Sequence, residues 1–557
     1  MHRFCIYNYC MRKRLIIISI SLLAVVSLSF TPPADRFFEL AKNLEIFSSL
    51  FREVNSLYVD DVNPNLMARH GIDAMLNSLD PYTNYIPEDE VEDYRTLNTG
   101  QYGGIGASTI NINNRTVVNM VFENYPAYKN GLKIGDEIVK LNGIELSKIP
   151  AEESGRLMKG QIGSTVKVSV KRYGHEELIE LEFKREKIKI NSVPYFGMIP
   201  AQDIGLVQLT EFTTECSKEL KKGIQSLKEQ GAKKIILDIR GNPGGHLNEA
   251  VDICNFFIPK GKLVVATKGK SEQREYETQN SPLDETIPLV ILINRGSASA
   301  SEIVAGTLQD YDRAVVVGER SYGKGLVQMG KPFIYNSYVK ITTAKYYTPS
   351  GRCIQVLDYS HRRTDGSVAT VPDSVKKEFK TISGRQVYDG GGIEPDITLS
   401  SDDQPGIAAA LSRQGFIFDF ATEYASRHAS IAPPKSFSLS ATEYQEFVNW
   451  MSDKKPEYKT TIEKELKELE ELATREQYLP VIQRQIATVE RKLAEIRQTD
   501  YITFKDQIKS QLEHEIVSRY YYEKGAAEFT LSNDEEVKKA VVILNDPANY
   551  KKILRLQ

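Results

Sequence analysis

A group of serines follows a short apolar run near the middle of the chain, and its setting suits nucleophilic chemistry. The run from Pro288 to Ile293 gives way to Asn-Arg-Gly-Ser-Ala-Ser-Ala-Ser-Glu-Ile, which contains Ser297, Ser299 and Ser301. This pattern predicts a buried strand, a tight turn and a helix whose first turn carries serines. A hydroxyl placed there lies beside unpaired helix N–H groups, which stabilise a developing oxyanion.

A serine nucleophile needs a base, and the nearby sequence offers a lysine instead of a histidine. No histidine lies between His246 and His361. Lys324 stands between two glycines, and the following residues favour a strand on which Lys324, Leu326 and Gln328 share one face. Burial favours the neutral amine and brings the pKa of a lysine to about 7–8. The amide of Gln328 would then orient that amine by hydrogen bonding.

A second segment has the pattern of a loop that approaches a ligand. Lys234 to Arg240 reads as a buried strand, and Gly241-Asn242-Pro243-Gly244-Gly245 follows it before a helical stretch. Paired glycines between a strand and a helix allow backbone N–H groups to come close to a bound molecule. Taken alone, the segment is an ordinary strand–turn–helix junction.

Together these motifs resemble those of the C-terminal processing, or tail-specific, serine peptidases. The matching features are Gly-Ser-Ala-Ser-Ala-Ser-Glu-Ile, the 25-residue step from Ser299 to Lys324, and Gly-Lys-Gly-x-Val-Gln. The resemblance implies that Ser299 is the nucleophile, Lys324 the general base and Gln328 the residue that orients the lysine.

The same resemblance implies an oxyanion hole. Its donors would be the backbone N–H of Gly244 or Gly245 and the backbone N–H of Ala300. Loss of one such donor typically lowers the rate about 100- to 1000-fold. His246 follows the glycines, and we interpret it as structural or peripheral, because the family needs no histidine at this place.

Residues 99–185 resemble a PDZ domain. Tyr-Gly-Gly-Ile-Gly-Ala, which ends at Ala107, resembles the carboxylate-binding loop, and residues 126–143 match the helix and strand that follow it. Such a loop binds the terminal carboxylate of a peptide while a sheet edge pairs with its tail. The resemblance assigns this role to Gly104, Ile105, Gly106 and Ala107. Lys159-Gly160 stands where relatives commonly carry Arg-Gly, so an arginine-based sensor of PDZ occupancy is not carried over.

Length and the alternation of strand and helix patterns predict a multidomain α/β protein, whose core patterns include Cys216–Glu229, Leu263–Lys268 and Leu289–Ile293. By resemblance its core is a crotonase- or Clp-like α/β fold into which the β-rich PDZ domain is inserted, between helical regions at both ends. The predicted segments are a signal peptide or N-terminal anchor at 1–31, an N-terminal helical region at 35–95, the PDZ domain at 99–185, the peptidase core at 190–400 and a mostly helical extension at 404–557.

The composition and the N-terminal sequence indicate which kinds of partner and which cellular compartment to expect. The 557 residues carry a net charge of −3 without a dense basic tract beyond the N-terminus, so nucleic-acid binding is not indicated. No clustered Cys/His spacing is present, and we expect neither a metal nor another cofactor. Arg12-Lys13-Arg14 precedes an apolar stretch that ends at Phe30. This predicts export to the periplasm or attachment to the outer face of the inner membrane.

Together with this resemblance, the residues predict an exported serine endopeptidase; the resemblance implies that it cleaves proteins near their C-terminal tails, with the PDZ domain capturing the free C-terminus. Its partners would be protein or peptide substrates with free tails, and the resemblance also implies a homodimer formed through the N-terminal helical region. A catalytically silent PDZ scaffold is the first alternative, and it requires a decayed Ser–Lys pair. A crotonase-type acyl-CoA enzyme is the second, and it rests on the fold alone.

Overall fold

The computed structural model describes residues 34–149, 151–270, 272–362, 367–370, 372–399, 406–497 and 499–556. The predicted signal or anchor at 1–31 lies outside the described residues. The chain divides into two compact units, Met1–Ser78 and Leu79–Gln557. None of the described helices is long and apolar enough to span a lipid bilayer.

The described part of the first unit consists of two helices, α1 (Ala34–Leu57) and α2 (Pro64–Asn77). Asn63 caps α2, because its side-chain oxygen accepts the first free N–H groups of that helix. The apolar side chains of α1 repeat at helical spacing, yet they remain open to solvent. Phe37, Leu44 and Leu57 are 68%, 61% and 76% exposed. This unit therefore presents an uncovered apolar face.

The second unit begins with β1 (Asn84–Ile86), a 3₁₀ turn (Glu88–Glu90) and α3 (Val91–Thr99), and a small β domain follows. The β domain consists of β2 (Gln101–Gly104), β3 (Ala107–Ile112), β4 (Arg115–Val121), α4 (Pro126–Lys129), β5 (Glu137–Leu141), β6 (Ile144–Glu145), a 3₁₀ turn (Leu146–Lys148), α5 (Ala151–Met158), β7 (Thr165–Lys171), β8 (Ile179–Lys184) and β9 (Glu186–Lys189). Its sheet has the order β3-β4-β5-β7-β8, so β3 is an edge strand.

The central part of the chain alternates strands and helices, as its apolar runs predict. Its elements are β10 (Phe196–Met198), β11 (Ile204–Gln208), α6 (Cys216–Glu229), β12 (Lys234–Asp238), α7 (Leu247–Cys254), β13 (Leu263–Gly269), β14 (Gln273–Glu277), β15 (Leu289–Ile293), α8 (Ala300–Asp310), β16 (Val315–Gly318), β17 (Leu326–Pro332) and β18 (Tyr338–Tyr347). The bounds of α6 and β15 agree with those that the sequence predicts.

The remaining elements are short hairpin strands and then helices. They are β19 (Leu357–Arg362), β20 (Val368–Thr370), a 3₁₀ turn (Asp373–Val375), β21 (Glu378–Lys380), β22 (Gln386–Tyr388), β23 (Ile397–Thr398), α9 (Gly406–Arg413), α10 (Phe416–Arg427), α11 (Ala441–Trp450), α12 (Thr461–Arg475), α13 (Leu479–Arg497), α14 (Asp500–Thr503), α15 (Lys505–Asn533, kinked at Tyr522), α16 (Glu535–Leu544) and α17 (Pro547–Leu554).

The core sheet has the order β10-β11-β12-β15-β16-β23, and all its pairs are parallel except β10 with β11. Alternate side chains of each strand point to opposite faces. One face packs against α6, α7 and α8. The other face is covered by α16 and α17, whose Val537, Ile543 and Leu554 join the same core as Ile236 and Val290. The last helices therefore complete a three-layer α/β/α core, and the predicted α/β fold class is confirmed.

A second, antiparallel sheet lies beside this core. Its order is β1-β18-β13-β14, and β17 pairs with β18. The sequence predicts a strand at Leu263–Lys268 together with the core strands. The structure has it at Leu263–Gly269, and it belongs to this second sheet. Apolar runs identify strands but not their partners, because pairing depends on residues distant in sequence.

The C-terminal helices also hold the small β domain. Asp419 on α10 forms an ion pair with Arg115 on β4, whose Nη2 donates to both carboxylate oxygens at 3.0 and 2.8 Å. Phe418 is buried within the hydrophobic core of the β domain. In contrast, α12 and α13 pack chiefly on each other and leave side chains such as Val481 exposed.

Candidate active site

A large cleft in the second unit brings the predicted catalytic residues together. Its volume is about 1110 Å³, and its walls come from α3, the start of α7, the start of α8, β17 and β18. The wall includes all six residues that the sequence assigns to catalysis and the oxyanion hole: Gly244, Gly245, Ser299, Ala300, Lys324 and Gln328.

Ser299 lies at the sharp turn between β15 and α8. Its φ of 55° and ψ of −111° are unusual for a residue with a side chain. Ser297 and Ser301 are fully buried, and their hydroxyls donate to the carbonyls of Ile239 and Asn242 at 2.8 and 2.9 Å. Of the three serines in the motif, the middle one is therefore the hydroxyl presented to the cleft.

Glu302 joins the segment of the serine to that of the lysine. Its Oε2 accepts the backbone N–H of Ser299 at 2.8 Å and that of Lys324 at 2.9 Å. Its Oε1 accepts the Ser321 hydroxyl at 2.5 Å and the Gly323 N–H at 2.6 Å. Burial raises the pKa of this carboxyl, and the four hydrogen bonds act in the opposite direction. Sequence reasoning missed this role, although Ser-x-x-Glu is the capping-box spacing.

The Lys324 side chain is half-buried, and its ammonium nitrogen lies 4.6 Å from the centre of the Tyr82 ring. The pKa of Lys324 is lowered to about 8, chiefly by burial and also by the positive charge of Lys340, whereas Glu302 and Asp80 act to raise it. A substantial fraction of the amine is therefore neutral near pH 8, as a general base requires.

Tyr82 owes its place to the turn that starts at Asp80. The carboxylate of Asp80 accepts the N–H groups of Tyr82 and Thr83, both at 2.8 Å, and the Thr83 hydroxyl at 3.1 Å. The Thr83 hydroxyl in turn accepts the Thr342 N–H at 3.1 Å. Asp80-Pro81 is a turn signal in the sequence, but no local pattern links this turn to Lys324.

The position of Gln328 differs from the sequence interpretation. β17 begins only at Leu326, so Lys324 precedes the strand, and a bulge at Val327/Gln328 interrupts the alternation of faces. The Gln328 amide donates to Thr342 Oγ1 at 3.2 Å. Gln328 and Lys324 line the same cleft, but the orientation of Lys324 by Gln328 stays a prediction.

The glycine-rich loop packs directly against the serine turn. A Cβ on Gly244 would lie 2.8 Å from the Ser299 Cβ and 2.7 Å from the Ala298 carbonyl oxygen, and its φ of 98° also favours glycine. The Gly244 N–H already donates to Asn242 Oδ1 at 2.9 Å. Within the described part of the chain, the Gly245 and Ala300 N–H groups have no such acceptor. Of the two predicted glycines, Gly245 is therefore the available donor.

His246 lies in the wall of the cleft, and its shorter hydrogen bonds are to backbone carbonyls, with the Thr214 hydroxyl 3.5 Å from Nε2. Its Nε2 is 2.9 Å from the Asn98 carbonyl oxygen, and its own N–H donates to the Phe212 carbonyl at 2.9 Å. These contacts link the start of α7 to the end of α3.

The four predicted PDZ residues do not line the cleft. Gly104 ends β2, Ile105 is buried, Gly106 has a φ of 77° and Ala107 begins the edge strand β3. The nearby α5 and its C-terminal turn bind α3, which borders the cleft. Lys159 donates to Asp93 Oδ1 at 2.7 Å. Lys159 thus makes an ion pair between the turn that follows α5 and α3.

Three family models match parts of the chain. Residues 203–359 match "Peptidase family S41", residues 103–183 match "PDZ domain", and residues 407–544 match "Probable PDZ-protease, C-terminal helical domain".

Curated relatives extend these matches. A "Carboxy-terminal-processing protease" of Bartonella bacilliformis is 34% identical over 320 residues, which are 56% of this chain and 73% of the relative. A "Probable CtpA-like serine protease" of Staphylococcus aureus is 34% identical over 384 residues, or 68% and 75% of the two chains. The solved "Photosystem II D1 C-terminal processing protease" aligns with 67% of this chain and 96% of its own at 24% identity, with a TM-score of 0.34.

The matches and the cleft together define a protease with a PDZ domain. The chain belongs to the carboxy-terminal-processing protease family, peptidase family S41. The resemblance drawn from its sequence motifs is confirmed.

Replacement of Glu302 by glutamine tests the link between the segments that carry Ser299 and Lys324. The amide NH₂ of the glutamine would replace one of the oxygens that now accept backbone N–H groups, and it cannot accept a hydrogen bond. Each buried donor left without an acceptor costs about 1–3 kcal/mol of stability. We expect Glu302→Gln to lower kcat by about 100-fold in a steady-state peptidase assay. Glu249→Gln is a matched control, because Glu249 also accepts two backbone N–H groups, but from the start of α6. Equal effects of both substitutions would contradict the interpretation.

Removal of the second lysine in the cleft tests how the pKa of Lys324 is set. Lys340→Met removes a positive charge that disfavours protonation of Lys324, so the pKa of Lys324 rises. Activity that requires the neutral amine then needs a higher pH. We expect the acidic limb of the kcat/KM–pH profile, centred near pH 8, to move upward by about 0.5–1 unit.

The control for this shift is Lys331→Met, which removes an exposed charge from β17. Its profile should coincide with that of the unmodified protein. A Lys340→Met profile that does not move, or moves toward lower pH, would show that Lys340 does not act on Lys324.

Proposed function

We propose that this protease is an exported serine-type endopeptidase that cleaves proteins near their C-terminal tails through a Ser299–Lys324 dyad. The observation that carries the proposal is the buried Glu302 carboxylate, which binds the backbone N–H groups of both residues. It supports a fixed spacing between the serine and lysine segments at one cleft. Burial of Lys324, with its pKa lowered to about 8, supplies the second requirement of the dyad.

The dyad acts by proton transfer between its two side chains. Neutral Lys324 takes the proton of the Ser299 hydroxyl as Oγ forms a bond to the carbonyl carbon of the scissile peptide. The tetrahedral oxyanion accepts hydrogen bonds from the Gly245 and Ala300 N–H groups. The C–N bond then breaks, and the leaving amine receives the proton held by Lys324. The acyl group remains on Ser299.

Hydrolysis of the acyl-enzyme repeats these steps with water. Lys324 takes a proton from the water as its oxygen attacks the acyl carbon, and the proton returns to Ser299 Oγ when the ester bond breaks. The sequence consists of proton transfers and acyl transfer, so the proposal includes no cofactor.

The PDZ domain is proposed to hold the substrate by its free C-terminus. Its loop at Gly104, Ile105, Gly106 and Ala107 would receive the carboxylate, and the edge strand β3 would pair with the tail. The Lys159–Asp93 ion pair supports delivery of the substrate to the cleft, because it joins the turn after α5 of the PDZ domain to α3. Captured tails would thus be held next to the catalytic wall.

Two further proposals, export and formation of a homodimer, concern the N-terminal end of the chain. The apolar stretch before Phe30 supports export, with the segment either cleaved or kept as a membrane anchor. The exposed apolar side chains of α1, among them Phe37 and Leu44, support a homodimer that covers them. Cell fractionation tests the first proposal and sedimentation of the purified chain the second. A cytoplasmic protein, or a monomer at micromolar concentration, would contradict them.

Substitution of each member of the dyad tests the reaction. We expect Ser299→Ala and Lys324→Ala each to lower cleavage of a tail-bearing protein by about 10⁴-fold or more, because either change removes proton transfer to and from the nucleophile. Binding of a labelled tail peptide, followed by fluorescence anisotropy, should persist in both variants. Lys331→Ala, on an exposed position of β17, should retain full activity.

A fluorophosphonate probe separates the proposed enzyme from a silent PDZ scaffold. Labelling that is present in the unmodified chain and lost in Ser299→Ala supports the dyad. Full cleavage by either alanine variant, or peptide binding without any cleavage by the unmodified chain, would refute it.

A further inference from the structure

A cluster of charges outside the cleft joins the C-terminal helices to the glycine-rich loop. Arg240 follows β12, and its Nε and Nη2 bind the two carboxylate oxygens of Asp238 at 2.9 and 2.7 Å. Its Nη1 donates to Asp534 Oδ2 at 2.7 Å and to Glu536 Oε2 at 2.5 Å. Three carboxylates thus surround one guanidinium, and two of them lie almost 300 residues away in sequence.

The two distant carboxylates are held by a rigid element. Asp534 is the N-cap of α16, and its Oδ1 accepts the N–H groups of Glu536 and Val537 at 2.8 and 3.0 Å. The helix itself packs on the core sheet through Val537 and Ile543. One carboxylate oxygen of Asp534 therefore caps the helix and the other binds Arg240. Because Asp534 and Glu536 belong to the same packed helix start, both carboxylates have fixed positions next to Arg240.

Arg240 directly precedes the glycine-rich loop, which ends at Gly245. Asn242 in this loop donates to the Leu209 carbonyl at 2.8 Å and accepts the Gly244 N–H at 2.9 Å. Arg240 and Asn242 thus anchor the loop at two points before the glycines, whose backbone tolerates many conformations. An oxyanion donor must already point at its target before the reaction, so the anchors matter to catalysis.

We propose that Asp534 and Glu536 are positioning residues of the active site, which fix Arg240 and, through it, the loop that presents the Gly245 N–H. The inference rests on the proposed peptidase function. The last helices of the chain are then part of the catalytic unit. Their acids act on the stabilisation of the transition state and not on capture of the substrate tail.

The double variant Asp534→Asn/Glu536→Gln tests this in the full-length protein. Asparagine retains the helix cap, glutamine retains the shape, and the Arg240–Asp238 pair remains as a neutral pair. We expect kcat to fall by about tenfold or more, short of the roughly 100- to 1000-fold of a lost donor, with KM within about twofold. Inhibition by a peptide aldehyde, whose hemiacetal oxygen occupies the oxyanion hole, should weaken by a similar factor.

The experiment needs a control variant and a check that the variants are folded. Glu535→Gln changes a neighbouring acid of α16 that is 85% exposed, and its kcat and aldehyde inhibition should equal those of the unmodified chain. Thermal melting checks that the variants are folded. If the double variant unfolds, Asp534→Asn alone carries the test, with a smaller loss expected because Glu536 still binds Arg240.

The outcomes separate the inference from the proposed function. The positioning role alone would be overturned if the unmodified chain is active and the folded variants keep its kcat and its inhibition by the aldehyde. A change in KM without a change in kcat would overturn it as well. An unmodified chain that neither cleaves the peptide nor binds the aldehyde would overturn the peptidase proposal, and the positioning role with it.

Discussion

The arrangement of the active site depends on one buried carboxylate. Glu302 lies in the first turn of α8, three residues after Ser299, and it binds backbone groups of the segment that carries Lys324. Burying a charge is costly unless hydrogen bonds compensate it, and here four donors do so. These donors come from two segments about 20 residues apart in sequence. The carboxylate therefore links the two segments by hydrogen bonds to both.

The position of this carboxylate also suits the chemistry of a lysine base. A carboxylate that binds the ammonium group would favour the protonated form and remove the base. Glu302 binds the backbone N–H of Lys324 instead, and the Tyr82 ring lies near the amine. Although the charges of Glu302 and Asp80 still raise the pKa of Lys324, burial and Lys340 outweigh them. Glu302 thus holds the backbone of Lys324, whereas burial and Lys340 lower the pKa of its amine.

The segments outside the catalytic core are connected to it by specific contacts. The C-terminal helices hold the small β domain through Phe418 and the Arg115–Asp419 pair, and the final helices cover one face of the core sheet. The β domain also contacts α3, in the wall of the cleft, through Lys159 and Asp93. The C-terminal helical region therefore contacts both the proposed tail-binding domain and the core sheet.

The sequence by itself determined the elements and the candidate residues. Apolar runs and turn residues are local signals, and they sufficed for the strand Leu289–Ile293, the helix Cys216–Glu229 and the serine turn. Only the tertiary structure decided the sheet to which Leu263–Gly269 belongs, the β-bulge that changes the setting of Gln328, and the use of the Gly244 N–H within its own loop. The same holds for the contacts of Glu302, Tyr82 and Arg240. Each of these depends on hydrogen bonds or packing between residues far apart in sequence, which no local pattern records.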